Sequence, residues 1–185
     1  MLTLQQIIDE AYTLVPHEVD IADQVVWLNA INQEFFNIVK IPKIHRFTTT
    51  DESTYTIPTD VREKNIDYVQ VGLLKYKSLD NEDVSPLQNV FSFDDNTKQL
   101  TLIPAPYKDG LTGIVRYRKI ATTTFLSTNL NASPDAPEEL HWTYIPALAS
   151  YLANTQHDTA LAANYEAQYK SAWNAAAADY AGAST

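Results

Sequence analysis

The stretch from residue 20 to residue 40 constrains this chain more than any other. Val25, Leu28, Ile31, Phe35, Ile38 and Val39 recur there at spacings of three and four. That rhythm returns side chains to one face of an α-helix. Asp20 is placed to cap the first free N–H groups, and Asp23 adds negative charge to the first turn. Lys40 suits the opposite end, and Pro42 stops the element. Ile21, Ala22, Val26, Trp27 and Phe36 widen the stripe beyond a coiled-coil seam, so cover on more than one side is expected. The main face predicts packing on the first helix and the last two. The rim with Trp27 and Phe36 is where contact with a neighbouring subunit is expected.

A shorter helix precedes it. Thr3 and Gln6 stand in capping-box positions, followed by an apolar face of Leu4, Ile7, Ile8, Ala11 and Leu14. So short a helix is marginal alone. A turn at Pro16 and His17 would fold it back, making residues 1–42 an antiparallel helix pair.

After Pro42 the pattern becomes β-rich, and residues 43–120 read as an insert. Runs at 46–50 and 54–57 suggest one hairpin, and runs at 90–93 and 99–103 suggest another across Asp94-Asp95-Asn96-Thr97-Lys98. Residues 66–74 and 112–118 read as further strands. In the latter, Ile114, Arg116 and Arg118 face one way and Val115 and Tyr117 the other. The polar run 75–89 reads as a mobile or partner-dependent loop. Residues 121–136, mostly Thr, Ser, Asn, Ala and Pro, read as a linker arm. Pro134 to Glu139 then starts the C-terminal helices of 137–185, with acids where the helix dipole favours them. Pro146 should kink or split the first of these helices. His157-Asp158 separates it from a final helix ending near Tyr180, and residues 181–185 form a flexible tail. The expected fold is α+β: an antiparallel helical bundle of about four helices, with 1–42 packing on 137–185, and an inserted small antiparallel β-sheet domain of five or six strands.

The charge is uneven. Residues 1–40 and 121–185 carry twelve acidic groups against Lys40 and Lys170, whereas 41–120 balance eleven acidic with eleven basic groups. That distribution argues against a protein that grips DNA phosphates. There is no cysteine, hence no disulfide framework. The first twenty residues lack a basic start followed by an apolar run, and no apolar stretch approaches membrane-span length.

Catalytic patterns are missing from the sequence. His17, His45, His141 and His157 form no metal motif. Asp94-Asp95-Asn96 matches a calcium loop only in its first three residues, so a hairpin turn is expected. The four glycines form no phosphate-binding loop, and no nucleophile elbow is present. No cofactor, metal or catalytic residue is expected. Arg116-Tyr117-Arg118-Lys119 is the densest basic run. It is read as balancing acids on the sheet or a partner face, with Arg116 and Arg118 as subunit-interface candidates, and with a small nucleic-acid contact as the other reading.

Taken in order, these parts resemble the adaptor, or head-completion, proteins of the tailed-bacteriophage head-to-tail connector. The resemblance is carried by the starting helix from Thr3 to Ile8 and by Trp27-Leu28-Asn29-Ala30-Ile31-Asn32. It continues through Tyr55-Thr56-Ile57-Pro58-Thr59-Asp60, the run Leu100 to Pro106, and Val115-Arg116-Tyr117-Arg118-Lys119. It ends in Pro134-Asp135-Ala136-Pro137-Glu138-Glu139-Leu140 and the helix with Tyr144, Ala147, Leu148 and Tyr151. The resemblance implies a virion neck protein without catalysis, assembled in the bacterial host cytoplasm as a homo-oligomeric ring expected to hold twelve subunits. Such a ring docks on the portal protein and extends the DNA channel toward stopper or tail-completion proteins. Double-stranded DNA passes without specific binding, and no membrane partner is implied. The family's use of its C-terminal segment to grip the portal makes Trp173, Tyr180, Gly182 and Ser184 portal-binding candidates. The composition of the arm and tail further suggests that both order on docking. Other readings are a tail-side component such as a stopper or tail terminator, a small hydrolase, or a polysaccharide-binding module.

Overall fold

A computed structural model of the chain describes residues 1–79 and 89–182. Most of the expected loop at 75–89, and Ser184 in the expected tail, lie outside the described residues. The chain forms two compact units, Met1–Lys40 with Ala121–Thr185, and Ile41–Ile120.

In the first unit, α1 (Leu4–Leu14) begins with the complete capping box: Gln6 N–H donates to Thr3 Oγ1 at 3.3 Å, and Thr3 N–H donates to Gln6 Oε1 at 2.9 Å. α2 (Ile21–Ile38) follows with Asp20 at its cap position, but the Asp20 side chain makes no capping bond. A short 3₁₀ turn (Glu138–Thr143) leads into α3 (Tyr144–Thr155), and α4 (Thr159–Gly182) completes the unit. Pro146 sits in the first turn of α3, where its missing N–H costs least, so the element is split before it rather than kinked. At the α3–α4 junction, His157 takes φ 60° while Asp158 N–H closes onto Ala153 O at 3.1 Å.

Four helices are present as expected, but their centre is different. α1 packs chiefly on α3 rather than on α2, and α2 packs on α3 and α4. Tyr144, Ala147, Leu148, Ala149, Leu152 and Ala153 bury α3 on nearly every side, and its alanines allow three neighbours to approach. α2 has an exposed side bearing Ile21 and Val26. No helix among the described residues is long and apolar enough to cross a membrane.

The second unit corrects the expectation of a small antiparallel sheet. Its strands are β1 (Pro42–Thr48), β2 (Thr54–Thr56), β3 (Ile66–Val71), β4 (Leu74–Ser78), β5 (Val90–Asp94), β6 (Gln99–Ile103) and β7 (Thr112–Arg118). They form one mixed seven-stranded sheet, ordered β1-β7-β3-β4-β5-β6-β2, which curls into a nearly closed barrel. The β4–β5 pair is parallel, with Lys77 opposite Val90. The expected hairpin of β1 with β2 does not form: β1 pairs with β7, β2 pairs with β6, and both are edge strands. The β5–β6 hairpin forms as expected. The expected single strand 66–74 is a hairpin of β3 and β4. Val71 lies opposite Leu74, and Gly72 at φ 56° supplies the positive-φ corner of a two-residue turn. The inward residues of these strands, among them Tyr76, Phe93, Leu100, Leu102, Val115 and Tyr117, make the barrel core.

Candidate functional site

Segment 121–136, expected as a linker arm, is tied to the helices by side chains of α2. Asn29 acts on Phe125 from both ends of its amide: Oδ1 accepts the Phe125 N–H at 2.8 Å, and Nδ2 donates to Phe125 O at 3.0 Å. One turn on, Asn32 is 1% exposed; its Nδ2 donates to Asp135 Oδ2 at 3.0 Å, and its Oδ1 accepts from Tyr144 OH at 2.8 Å. Asp135 also accepts the Thr122 and Thr123 N–H groups, both at 2.8 Å, and the Thr123 hydroxyl at 2.7 Å. Burial alone would raise the Asp135 carboxyl, but the bonds from Thr123, Asn32 and Thr122 outweigh it and hold the group below its ordinary range. The same segment satisfies the open start of α1, where Leu4 and Gln5 N–H donate to Ala132 and Leu130 O at 2.8 and 3.0 Å.

Beneath this clasp lies an aromatic core. Trp173 is fully buried, with ring centroids 4.6 Å from Tyr169, 5.4 Å from Phe35 and 6.4 Å from Tyr144. Its indole N–H donates to Thr143 Oγ1 at 2.8 Å. Burial, with Asp135 nearby, pushes the Tyr144 phenol far up, so it stays a donor to Asn32.

The structure separates the residues singled out from sequence. Trp27 is half-buried and stacks on Tyr151 of α3 at 5.8 Å. Phe36 is 5% exposed and meets Phe35 edge-on at 5.0 Å, so it offers a neighbour little surface. Trp173, being fully buried, leaves the portal-facing candidates to the residues after it. Tyr180 is half-buried, with burial and Glu139 raising its phenol, and Gly182 is exposed at the end of α4. The exposed apolar residues Val26, Leu126 and Trp142 were not singled out as surface. For Val26 the signal existed, since it falls off the main helical stripe.

Arg116 and Arg118 are on the outward face of β7, as the alternation predicts, and both reach Asp67 on β3. Arg118 Nε donates to Asp67 Oδ1 at 3.0 Å, and Arg116 Nε lies 3.9 Å from Oδ2. The β3–β7 register shifts between Ile66 and Tyr68, around Asp67, which turns this carboxylate toward both arginines. Tyr117, between them, points into the barrel and donates to Asp60 at 3.1 Å; burial and Asp60 raise its phenol to about 12. Lys43 Nζ donates to the same carboxylate at 2.9 Å. The densest basic run is therefore divided between two faces.

The remaining polar groups build turns and supports. Asp94 accepts the Asn96 N–H and the Thr97 hydroxyl, both at 2.8 Å, shaping the β5–β6 turn; these bonds, the Asn96 one foremost, lower its carboxyl. His141 Nε2 is 2.9 Å from Ala136 O. Among the described residues no three His, Cys, Asp or Glu side chains are grouped to hold a metal ion. What the two units present to other molecules is shaped surface: a clasped helical face and a patterned outer sheet.

Comparison with protein-family models matches residues 2–185 to the family described as SU10 adaptor protein. Comparison with curated proteins gave no match.

Proposed function

This chain belongs to the SU10 adaptor protein family and is a non-catalytic structural protein of the bacteriophage head-to-tail connector, and on that premise we propose that it works as a ring. Twelve copies would dock on the portal protein and extend its DNA channel toward stopper or tail-completion proteins, after assembly in the host cytoplasm. The observation that carries this reading is the family match, which runs through both units from residue 2 to the last residue.

Two physical features support it. The helical unit is cross-linked by side chains from α2, α3, α4 and the 121–136 segment, as suits a part that must keep its shape under load. Its net charge is strongly negative, since the twelve acids of 1–40 and 121–185 face only two lysines. A wall of that sign repels a passing duplex and holds no phosphate. Tyr180, Gly182 and Ser184 are the proposed grip on the portal, and Trp27 is a proposed contact between neighbouring subunits.

Electron microscopy of the protein mixed with purified portal tests the reading. A ring stacked coaxially on the portal, with one adaptor copy per portal subunit, is the expected image. Binding to tail proteins with no portal complex would overturn it in favour of a tail-side component.

A further inference from the structure

The outer face of four adjoining strands is basic, in a chain whose net charge is −10. Register places Arg46 of β1 opposite Ile114 and Ile44 opposite Arg116 of β7. Tyr68 and Gln70 of β3 lie opposite Arg116 and Ile114 on the other side of β7, and Lys75 of β4 lies opposite Gln70. Lys77, two residues on, shares the face of Lys75. Five cations thus stand on one surface: Arg46, Lys75, Lys77, Arg116 and Arg118. The one acidic residue in these four strands is Asp67, which both β7 arginines share. Arg46, Lys75 and Lys77 have no ion-pair partner among the described residues, although Lys75 lies over the Tyr68 ring at 5.5 Å. Ile44, half-exposed, gives the patch an apolar element.

The helical unit carries the complementary surface. Asp9, Glu10, Glu18, Asp20 and Asp23 are all exposed and make no ion pair among the described residues. No Lys or Arg precedes Lys40. Ile21 and Val26, 44% and 64% exposed, stand with Asp20 and Asp23 at the start of α2.

We propose that the basic outer face of β1, β7, β3 and β4 docks the acidic start of α2, residues 18–26, of a second copy of this chain. The inference rests on the ring reading and names the surfaces that build the ring. The two surfaces differ, so the contact is heterologous, and repetition of it closes a ring or continues as a filament. Opposite charges orient the approach, and the isoleucines and Val26 exclude water at the centre. Trapping double-stranded DNA on the same cations is disfavoured by the chain's overall negative charge and by the inward position of Tyr117.

The test uses the full chain, purified portal and three variants: R46E/K75E/K77E on the face, E18K/D20K/D23K on the edge, and all six together. The face substitutions avoid the arginines held by Asp67. The neutral set R46Q/K75Q/K77Q is a fourth variant, expected to weaken ring formation less than R46E/K75E/K77E, and circular dichroism checks that each folds. Ring formation on the portal should fall by about tenfold or more in either charge-reversed triple variant, as like charges are set against each other. The sixfold variant, which restores opposite signs, should recover it. Rings forming equally in all variants would overturn this inference and leave the ring reading intact. Absence of rings with the unaltered chain would overturn the ring reading and this inference with it. A DNA duplex of about 20 base pairs that binds the unaltered chain and not R46E/K75E/K77E would overturn it in favour of a nucleic-acid surface.

Discussion

The rings of Phe47 and Tyr55 meet at a centroid distance of 4.5 Å, although their strands share no backbone pairing. Phe47 is on β1 and Tyr55 on β2, the two edges of the sheet, so the seam of the barrel is bridged at this point by side chains. Asp60, just beyond β2, makes a second bridge by taking Lys43 of β1 and Tyr117 of β7. Full closure removes sheet edges, and here two side-chain bridges stand in for the missing ladder.

The first bridge depends on a glycine. Gly113 lies opposite Phe47, and a Cβ there would fall 2.2 Å from the Phe47 ring. Gly113→Ala must therefore displace the Phe47 ring and disturb its contact with Tyr55. A loss of about 1–3 kcal/mol is expected in urea unfolding of the chain, as for other overpacked sites. Gly113→Ala and Phe47→Ala should be less than additive, because the second substitution removes the obstacle the first one meets.

The second bridge gives the barrel an alkaline limit. Burial beside Asp60 lifts the Tyr117 phenol from its ordinary value of 10.0 to about 12. The folded state thus favours the neutral phenol. Its contribution is complete below pH 10 and is lost as pH rises toward 12. Tyr117→Phe should flatten this part of the stability–pH curve and cost about 0.5–1.5 kcal/mol at neutral pH. A curve of unchanged shape between pH 10 and 12 would count against the bridge.

In the helical unit, Asp135 sets an acid limit of the opposite sign. Its folded carboxyl is held below the ordinary range, so its stabilisation is complete above that range and fades as pH falls through the folded value. Asp135→Ala leaves the Thr122 and Thr123 N–H groups and Asn32 without their acceptor, at about 1–3 kcal/mol for each group that stays buried. Amide exchange should speed up at Thr122, Thr123 and Phe125 before it does in α3. If protection there is unchanged, the 121–136 segment is held by something else.

These effects divide along what the sequence could express. The capping box at Thr3, the split at Pro146, the β5–β6 hairpin and the outward face of Arg116 and Arg118 follow from local pattern, and all are in the structure. Strand partners did not follow, because periodicity reports which residues face inward and says nothing about which edge a strand joins. The β3–β4 turn was legible in Gly72-Leu73 but was hidden by an apolar run that crosses it. α2 looked like the organising helix because its stripe is so wide. α3, rich in alanine, holds the centre because small side chains admit more neighbours. The clasp by Asn29 and Asn32 spans 96 and 103 residues of sequence, beyond the reach of any local rule.

Trp173 is the last buried anchor of α4, ahead of the segment proposed to dock on the portal. Trp173→Phe keeps the aromatic packing and removes the indole bond to Thr143, so a modest loss of about 1–3 kcal/mol is expected, with Thr143 left short of a partner. Trp173→Ala should cost about 3–5 kcal/mol and loosen the contact with Phe35 and Tyr169. Thermal melts followed by near-ultraviolet circular dichroism distinguish the two.

Beyond Trp173, none of the described residues of α4 is fully buried. The buried anchors of α4 are Ala162, Tyr169 and Trp173, and none lies in the last stretch of the chain. Deleting residues 182–185 and changing Tyr180 to Ala therefore removes the proposed portal grip while leaving every fully buried anchor in place. Because Tyr180 is half-buried, a loss of about 1 kcal/mol is expected from its truncation, a typical value for a single substitution. Portal binding should drop far more than this loss can explain, by about tenfold or more if these residues contribute even one well-packed contact. Binding measured by co-sedimentation with portal, alongside the melting temperature of the same variant, separates the two effects. Undiminished portal binding by a folded variant would move the grip elsewhere, and a melting temperature that collapses with binding would make Tyr180 a scaffold residue instead.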